Sequence, residues 1–217
     1  MLVAQGISKQ YGSLKVLQGI DLTVTKGEIV AITGASGAGK STLLHILATL
    51  DKPDSGMLRL GGTDLLALKG QKLATFRNRS IGFVFQLYNL LPEFTTLENV
   101  CMPGYIGGDD RSIVEDRAKD LLALLGLADR SQHKPNMLSG GEQQRAAVAR
   151  ALINNPQVVF ADEPSGNLDT NNAAVLHELF FELRKQLGQT FVLATHDPIL
   201  ADMADRKLIL QSGKLLD

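Results

Sequence analysis

Cysteine is almost absent: Cys101 is the only one in 217 residues, so no disulfide can close within the chain and no cysteine-rich metal site can form. A lone thiol fits a reducing compartment. With no His or Asp patterned around it, Cys101 reads as a small buried hydrophobe rather than a nucleophile. An excess of one charge is also missing. The 22 basic and 23 acidic residues leave a formal net charge of −1, so no global field draws the chain to nucleic acid or to an anionic membrane surface. No apolar run approaches the roughly 18–20 residues needed to cross a bilayer. The N-terminus, "MLVAQGISKQYG", turns polar too early for a signal peptide. Repeats, low-complexity tracts, linkers and heptad runs are absent too. The expectation is a cytosolic protein whose membrane role, if any, comes through a partner. What remains is a chain with 44% apolar residues, long enough for one well-packed domain carrying an inserted subdomain.

Four short apolar, β-rich runs stand out: "GEIVAITG" (27–34), "IGFVFQ" (81–86), "QVVFADE" (157–163) and "TFVLATHD" (190–197). Continuous apolar strands of this kind suit a parallel sheet covered on both faces. Between the last two, "NNAAVLHELFFELRKQLG" places Val175, Leu176, Leu179, Phe180, Leu183 and Leu187 on one helical face, with Gly188 as the C-cap. Strand, helix, strand is a βαβ unit, so the fold class is α/β with a mainly parallel sheet. Residues 1–26 and 53–62 read as short strands and turns forming an N-terminal antiparallel β subdomain. From 87 to about 152 helical patterns replace strands, as in "DRSIVEDRAKDLLALLGL". The expected organisation is one domain over 1–217. Its core and β subdomain occupy 1–86 and 154–217, and the helical subdomain is inserted at 87–153.

Gly34-Ala35-Ser36-Gly37-Ala38-Gly39-Lys40-Ser41, followed by Thr42, matches G-x-x-x-x-G-K-[ST] in the required place, after a strand and opening a helix. Small residues let backbone N–H groups wrap phosphates, and the helix start turns its positive dipole end toward them. Lys40 should reach the β- and γ-phosphates and the Ser41 hydroxyl should ligate Mg²⁺, so the pattern predicts binding of a Mg-nucleotide. Asp162, ending an apolar strand, can hold Mg²⁺ or its water, and Glu163 beside it can orient and deprotonate an attacking water. His196 follows the next strand at the same C-terminal sheet edge, which places it near the γ-phosphate. By contrast, His45 and His177 lie within helices and read as surface or packing residues. His133 has no metal partner at useful spacing.

A second anion-binding helix start lies a hundred residues on, in "LSGGEQQR" from Leu138. With the phosphate loop, Gln86, "VVFADE", "SGNLD" (165–169) and His196 in this order, the chain resembles the ATP-binding cassette family over nearly its whole length. The resemblance implies an ATPase in which Ser139, Gly140, Gly141 and Glu142 of one subunit close over ATP held by another, giving a homodimer with two sandwiched nucleotides. It also implies that Tyr11 stacks on adenine. Gln86 would contact Mg²⁺ and the attacking water and link the core to the helical insert. Asp169 would act across the dimer interface, and Glu163 would be the catalytic base. The implied cofactors are ATP and Mg²⁺.

Within the family, "QLYNLLPEFTTLENVCMP" and "EPSGNLD" most resemble the ATP-binding subunits of lipoprotein-releasing systems. That resemblance implies a peripheral subunit on the cytoplasmic face of the inner membrane, docked on integral membrane permeases near residues 87–102. Leu87, Leu90, Leu91, Phe94 and Leu97 supply apolar surface either for that partner or for packing the helical subdomain itself. Related ATPases of macrolide-type export or cell division share much of this stretch, although the former are fused to a membrane domain and this chain stops at "LLD". A soluble, non-transport cassette acting on nucleic acid is the distant alternative. The chain has no long coiled coil, no zinc insertion and no second cassette to support it.

Overall fold

In a computed structural model the described residues are 1–216, and Asp217, the last residue of the 154–217 segment, lies outside them. The chain opens with strands β1 (Leu2–Tyr11), β2 (Leu14–Val24) and β3 (Ile29–Thr33), followed by helix α1 (Lys40–Leu47). Strands β4 (Ser55–Leu60) and β5 (Thr63–Asp64), helix α2 (Gly70–Ser80) and strand β6 (Ile81–Val84) come next. Helices α3 (Thr96–Ile106), α4 (Arg111–Leu124) and α5 (Gly140–Leu152) precede β7 (Val158–Asp162). The chain ends through α6 (Thr170–Leu187), β8 (Phe191–Ala194), α7 (Pro198–Met203), β9 (Arg206–Gln211) and β10 (Lys214–Leu216).

Two sheets result. The first is antiparallel, in the order β2-β1-β4-β5. The second runs β10-β9-β3-β8-β7-β6, parallel throughout except for the edge strand β10. The alternation of side chains along a strand sends successive residues to opposite faces. Val30 and Ile32 of β3, Val158 and Phe160 of β7, and Val192 and Ala194 of β8 join one core, where α1 packs between the two sheets. Ile29, Val159, Ala161, Phe191 and Leu193 join the other, against α3 to α6. Both faces are therefore covered, which is why these strands read as unbroken apolar runs. Phe160, Phe180 and Phe191 are fully buried, each removal from water contributing roughly 1.5–3 kcal/mol. Phe180 meets Phe191 edge-on with centroids 5.1 Å apart, which fastens α6 to β8.

The structure differs from the sequence expectations at several points. β1 and β2 are long strands of 10 and 11 residues, broken by register shifts between Ala4 and Gln10, rather than short ones. Helix α2 was not foreseen, because only Ser80 of its residues is buried and no apolar stripe marks it. On α6, Val175 and Leu187 are exposed, while Leu176, His177, Phe180 and Leu183 form the buried face. The expected C-cap Gly188 is in place at φ 65°. His177 packs inside, its Nε2 3.0 Å from the Ser165 hydroxyl, and burial pushes its imidazole below the usual range. Cys101 is buried, as its isolation suggested.

Candidate active site

The parallel register brings four loops to one edge. Ile32 pairs with Ala194, Asp162 pairs with Ala194, and Val84 pairs with Ala161, so the segments after β3, β6, β7 and β8 leave the sheet side by side. A cavity of about 810 Å³ opens there. It is lined by residues 34–37 and 39–42, Gln86, Glu163 and His196, together with Tyr11 and Val16. Ligands of open α/β sheets bind at this edge.

The loop can take this shape only with glycine at its turning points. Gly34, Gly37 and Gly39 have φ of 149°, 77° and 103°. A Cβ on Gly34 would overlap the Leu210 carbonyl oxygen, and one on Gly39 would lie 2.9 Å from Val16 Cγ1. Lys40, at the first turn of α1, is buried, and its Nζ donates to the carbonyl oxygens of Gly34 (2.9 Å) and Ala35 (3.4 Å). Its ammonium also lies 3.7 Å from Glu163 Oε1.

Opposite the loop, the Ser41 hydroxyl donates to Asp162 Oδ1 at 3.1 Å, joining the start of α1 to the end of β7. Burial pushes the Asp162 carboxyl above its ordinary range, partly offset by the Ser41 hydrogen bond. A hydroxyl facing a desolvated carboxylate is a hard-oxygen pair that a divalent cation would relieve. Among the described residues no group of three or more His, Cys, Asp or Glu side chains could hold a metal alone. A cation here would draw its other ligands from phosphate oxygens and water, as Mg²⁺ does at nucleotide sites.

Glu163 adopts φ 46°, a left-handed conformation that costs a non-glycine residue about 1–3 kcal/mol. Its N–H donates to the Ala194 carbonyl (2.8 Å) and its carbonyl accepts from Gly166 N–H (3.0 Å), which hold it there. The turn swings the carboxylate into the cavity. Its Oε2 accepts from the His196 backbone N–H (3.1 Å) and lies 2.7 Å from His196 Nδ1. Glu163 is thus placed between a lysine ammonium and an imidazole, at the mouth of the phosphate loop.

Tyr11, at the end of β1, lines the cavity, is half exposed and donates its hydroxyl to Asp51 Oδ2 at 2.7 Å. Gln86 lines the cavity beside Gly166, and its carbonyl accepts from Asn167 Nδ2 (3.0 Å).

The second helix start does not line this cavity. Ser139 caps α5 in a reciprocal box: its hydroxyl accepts from Glu142 N–H, and Glu142 Oε2 accepts from Ser139 N–H at 2.8 Å. These bonds, with Arg130 Nε at 2.8 Å from Oε1, hold the Glu142 carboxyl at about 2. Both side chains are therefore occupied locally, leaving the backbone N–H groups of Gly140 and Gly141 as the open donors. A Cβ on Gly140 would lie 2.8 Å from the Tyr88 hydroxyl and 3.7 Å from Leu168 Cδ2, whereas one on Gly141 would overlap the amide of Asn172. Asp169 caps α6, accepting from Asn172 N–H (3.0 Å) and Nδ2 (2.6 Å), and these bonds hold its carboxyl low.

Sequence reasoning missed the polar residues that fasten these pieces. Asn172 bonds to Asp169 and packs against Gly141. Asn167 holds the Gln86 main chain. Arg150 donates to the carbonyls of Asn89 (2.6 Å) and Tyr88 (2.9 Å), tying α5 to the segment after Gln86. Asn167 stands within "SGNLD", but nothing in that motif points to its contact with Gln86, and the partners of Arg150 are as distant in sequence.

Comparison with known proteins agrees with this geometry. Residues 17–166 match the family model described as ABC transporter. The lipoprotein-releasing system ATP-binding protein LolD of Cytophaga hutchinsonii is 57% identical, covering 100% of this chain and 99% of its own. The protein of the same name from Bacteroides thetaiotaomicron is 56% identical over 99% of each. The dimeric bacterial ABC transporter cassette MJ0796 superposes with a TM-score of 0.91 at 37% identity, over 100% of this chain and 97% of its own. Its post-hydrolysis dimer, bound to ADP and Pi, superposes at 0.90 and 36% over the same shares. On its fold, its nucleotide cradle and its full-length similarity, the chain belongs to the ABC transporter family as one of its ATP-hydrolysing cassettes.

Proposed function

We propose that this chain is the ATPase subunit of a lipoprotein-releasing transporter, working as a homodimer on the cytoplasmic face of the inner membrane. The observation that carries the catalytic half of the reading is Glu163 held between Lys40 and His196 at the mouth of the phosphate loop. The cargo assignment is supported by relatives of that name at 57% and 56% identity over essentially the whole chain.

In this reading the loop's backbone N–H groups and Lys40 bind the β- and γ-phosphates, with Ala35, Ser36, Gly37 and Ala38 giving the backbone room to close on them. Thr42 continues the cradle into α1. Ser41, Asp162 and Gln86 would hold Mg²⁺, which would screen phosphate charge. Glu163 takes the proton of the attacking water, and His196 orients Glu163 while reaching toward the γ-phosphate. Tyr11 stacks on adenine. Ser139, Gly140, Gly141, Glu142 and Asp169 complete the site from the second subunit. Their place outside the single-chain cavity is what such a division of labour requires, and solved relatives are dimeric. Turnover per subunit is then expected to rise steeply with protein concentration. A rate per subunit that stays flat across the dimerisation range would mean each chain works alone.

The helical insert, 87–153 within a single cassette, would meet the permease. Of the apolar residues after Gln86, Leu87, Leu91 and Phe94 are 68%, 40% and 37% exposed, while Leu90 and Leu97 pack into the helical core. A groove of about 470 Å³ takes Asn89 from the same segment, together with Phe83, Phe85, Pro103 and Ile106, and this region is where the partner contact is assigned. No helix among the described residues is long and apolar enough to cross a membrane, so membrane attachment is assigned to the partner. The balanced charge gives nucleic acid no foothold.

A tagged Glu163→Gln variant purified with ATP in detergent is expected to bring a pair of permeases with large periplasmic domains, together with lipoprotein. An exporter permease or a division protein in their place would move the chain to a sister system. Nucleic acid or ribosomes alone would overturn the transport reading.

A further inference from the structure

Tyr11 does not stand free where it lines the cavity. Its hydroxyl donates to Asp51 Oδ2 at 2.7 Å, and Asp51 is itself fixed from three sides. Lys9 Nζ donates to Asp51 Oδ1 at 3.1 Å and to the Lys52 carbonyl at 2.6 Å. The Lys52 backbone N–H donates to the same Oδ1 at 2.7 Å, and Asp51 N–H donates to the His45 carbonyl at 3.2 Å. The Lys9 ammonium also lies 5.0 Å from the centre of the Tyr11 ring, close enough for a cation–π contact. Asp51 follows α1, the helix whose first turn carries Lys40 and Ser41.

We infer that Asp51 is a positioning residue for nucleotide binding: through the Tyr11 hydroxyl it fixes the aromatic platform for the base at a set distance from the phosphate loop. The inference rests on the reading that Tyr11 meets adenine. An aromatic ring half exposed at a strand end would otherwise sample several rotamers, and ordering it on binding would weaken affinity. Here the ordering is already done. The eight residues of α1 span about 12 Å, so one rigid element holds the phosphate loop at its start and the tyrosine's anchor beyond its end. The hydrogen bond to Asp51 raises the Tyr11 phenol above its ordinary value, and the same bond lowers the Asp51 carboxyl.

The test compares ATP with inorganic tripolyphosphate, which can fill the phosphate loop but has no base to stack. Asp51→Ala is expected to weaken ATP binding roughly two- to tenfold, the range that stacking and side-chain ordering supply. Tripolyphosphate affinity should stay unchanged, and kcat at saturating ATP should match the parent. Tyr11→Phe, which keeps the ring and removes the hydroxyl, should reproduce that loss, and the double variant should be no weaker than either alone. Asp51→Asn, which keeps an acceptor, should recover part of the affinity. Equal losses for ATP and tripolyphosphate would overturn the inference, since Asp51 would then be supporting α1 itself. Additive losses in the double variant would overturn it as well. If Tyr11→Ala weakens ATP binding while Asp51→Ala and Tyr11→Phe do not, the ring needs no anchor and only this inference fails. Unchanged ATP affinity in Tyr11→Ala would remove the adenine reading and the inference with it.

Discussion

Replacing Glu163 with glutamine is expected to slow ATP turnover by about a hundred- to ten-thousandfold, the contribution of a positioned general base, while leaving ATP binding at least as tight. Glutamine has the same length and can adopt the same φ 46° at the same cost, so the turn after β7 should survive. Its amide oxygen can still accept the His196 backbone N–H that now reaches Oε2. What disappears is the negative charge and the capacity to take a proton. The first loss relieves the repulsion that a carboxylate 3.7 Å from Lys40 must exert on the phosphates sharing that lysine, which is why affinity should hold or improve. The second removes the only carboxylate among the described residues that line the cavity. Asp162, the nearest alternative, is turned toward Ser41 and away from this role. Steady-state ATPase rates with equilibrium ATP binding on the same preparation separate the two effects. Near-normal hydrolysis would place the base elsewhere, with His196 the next group to replace.

The parts of this site that could be read from the sequence were those governed by short-range rules. A glycine-rich turn between an apolar strand and a helix fixes both the backbone shape and the direction of its N–H groups, so the loop at residues 34–42 and its place at the sheet edge were legible. Apolar runs without alternation announced strands buried on both faces, and a parallel sheet must bring their C-terminal ends together; Glu163 and His196 follow from that. Long-range polar contacts left no such trace. Asn167 reaches the Gln86 carbonyl across 81 positions, and Arg150 reaches Tyr88 and Asn89 across about sixty. Helix α2 is invisible for a different reason: it buries almost nothing, so it has no apolar stripe to read. On α6 the helical period was right, but the face was centred too far toward Val175. An apolar pattern counts valine and leucine as interior and passes over His177, whose hydrogen bond to Ser165 satisfies it inside.

Removing the lysine should have the opposite signature to removing the glutamate. Lys40→Ala is expected to abolish turnover and to weaken ATP binding by about thirtyfold to several thousandfold, the loss seen when one partner of a desolvated charge pair is truncated. The side chain is buried, and its ammonium now donates to two carbonyl oxygens of its own loop and lies near Glu163. It is therefore already held at the rim of the cradle. Binding exchanges loop carbonyls for phosphate oxygens without moving a flexible side chain in from solvent, so little ordering entropy opposes it. Without the lysine, the incoming phosphates would face the Glu163 carboxylate with only backbone N–H groups and the start of α1 to balance the charge. Thermal unfolding gives a direct comparison, because a ligand present at a hundred times its Kd stabilises the fold by about 2.7 kcal/mol. ATP at a hundred times the parent's Kd should raise the Tm of the parent and of Glu163→Gln alike, and should stabilise Lys40→Ala by less than about 1 kcal/mol, so that its Tm rises by a third as much or less. An equal rise in Lys40→Ala would mean that the backbone N–H groups carry nucleotide affinity alone. Lys40 would then act in the chemical step beside Glu163 rather than in binding.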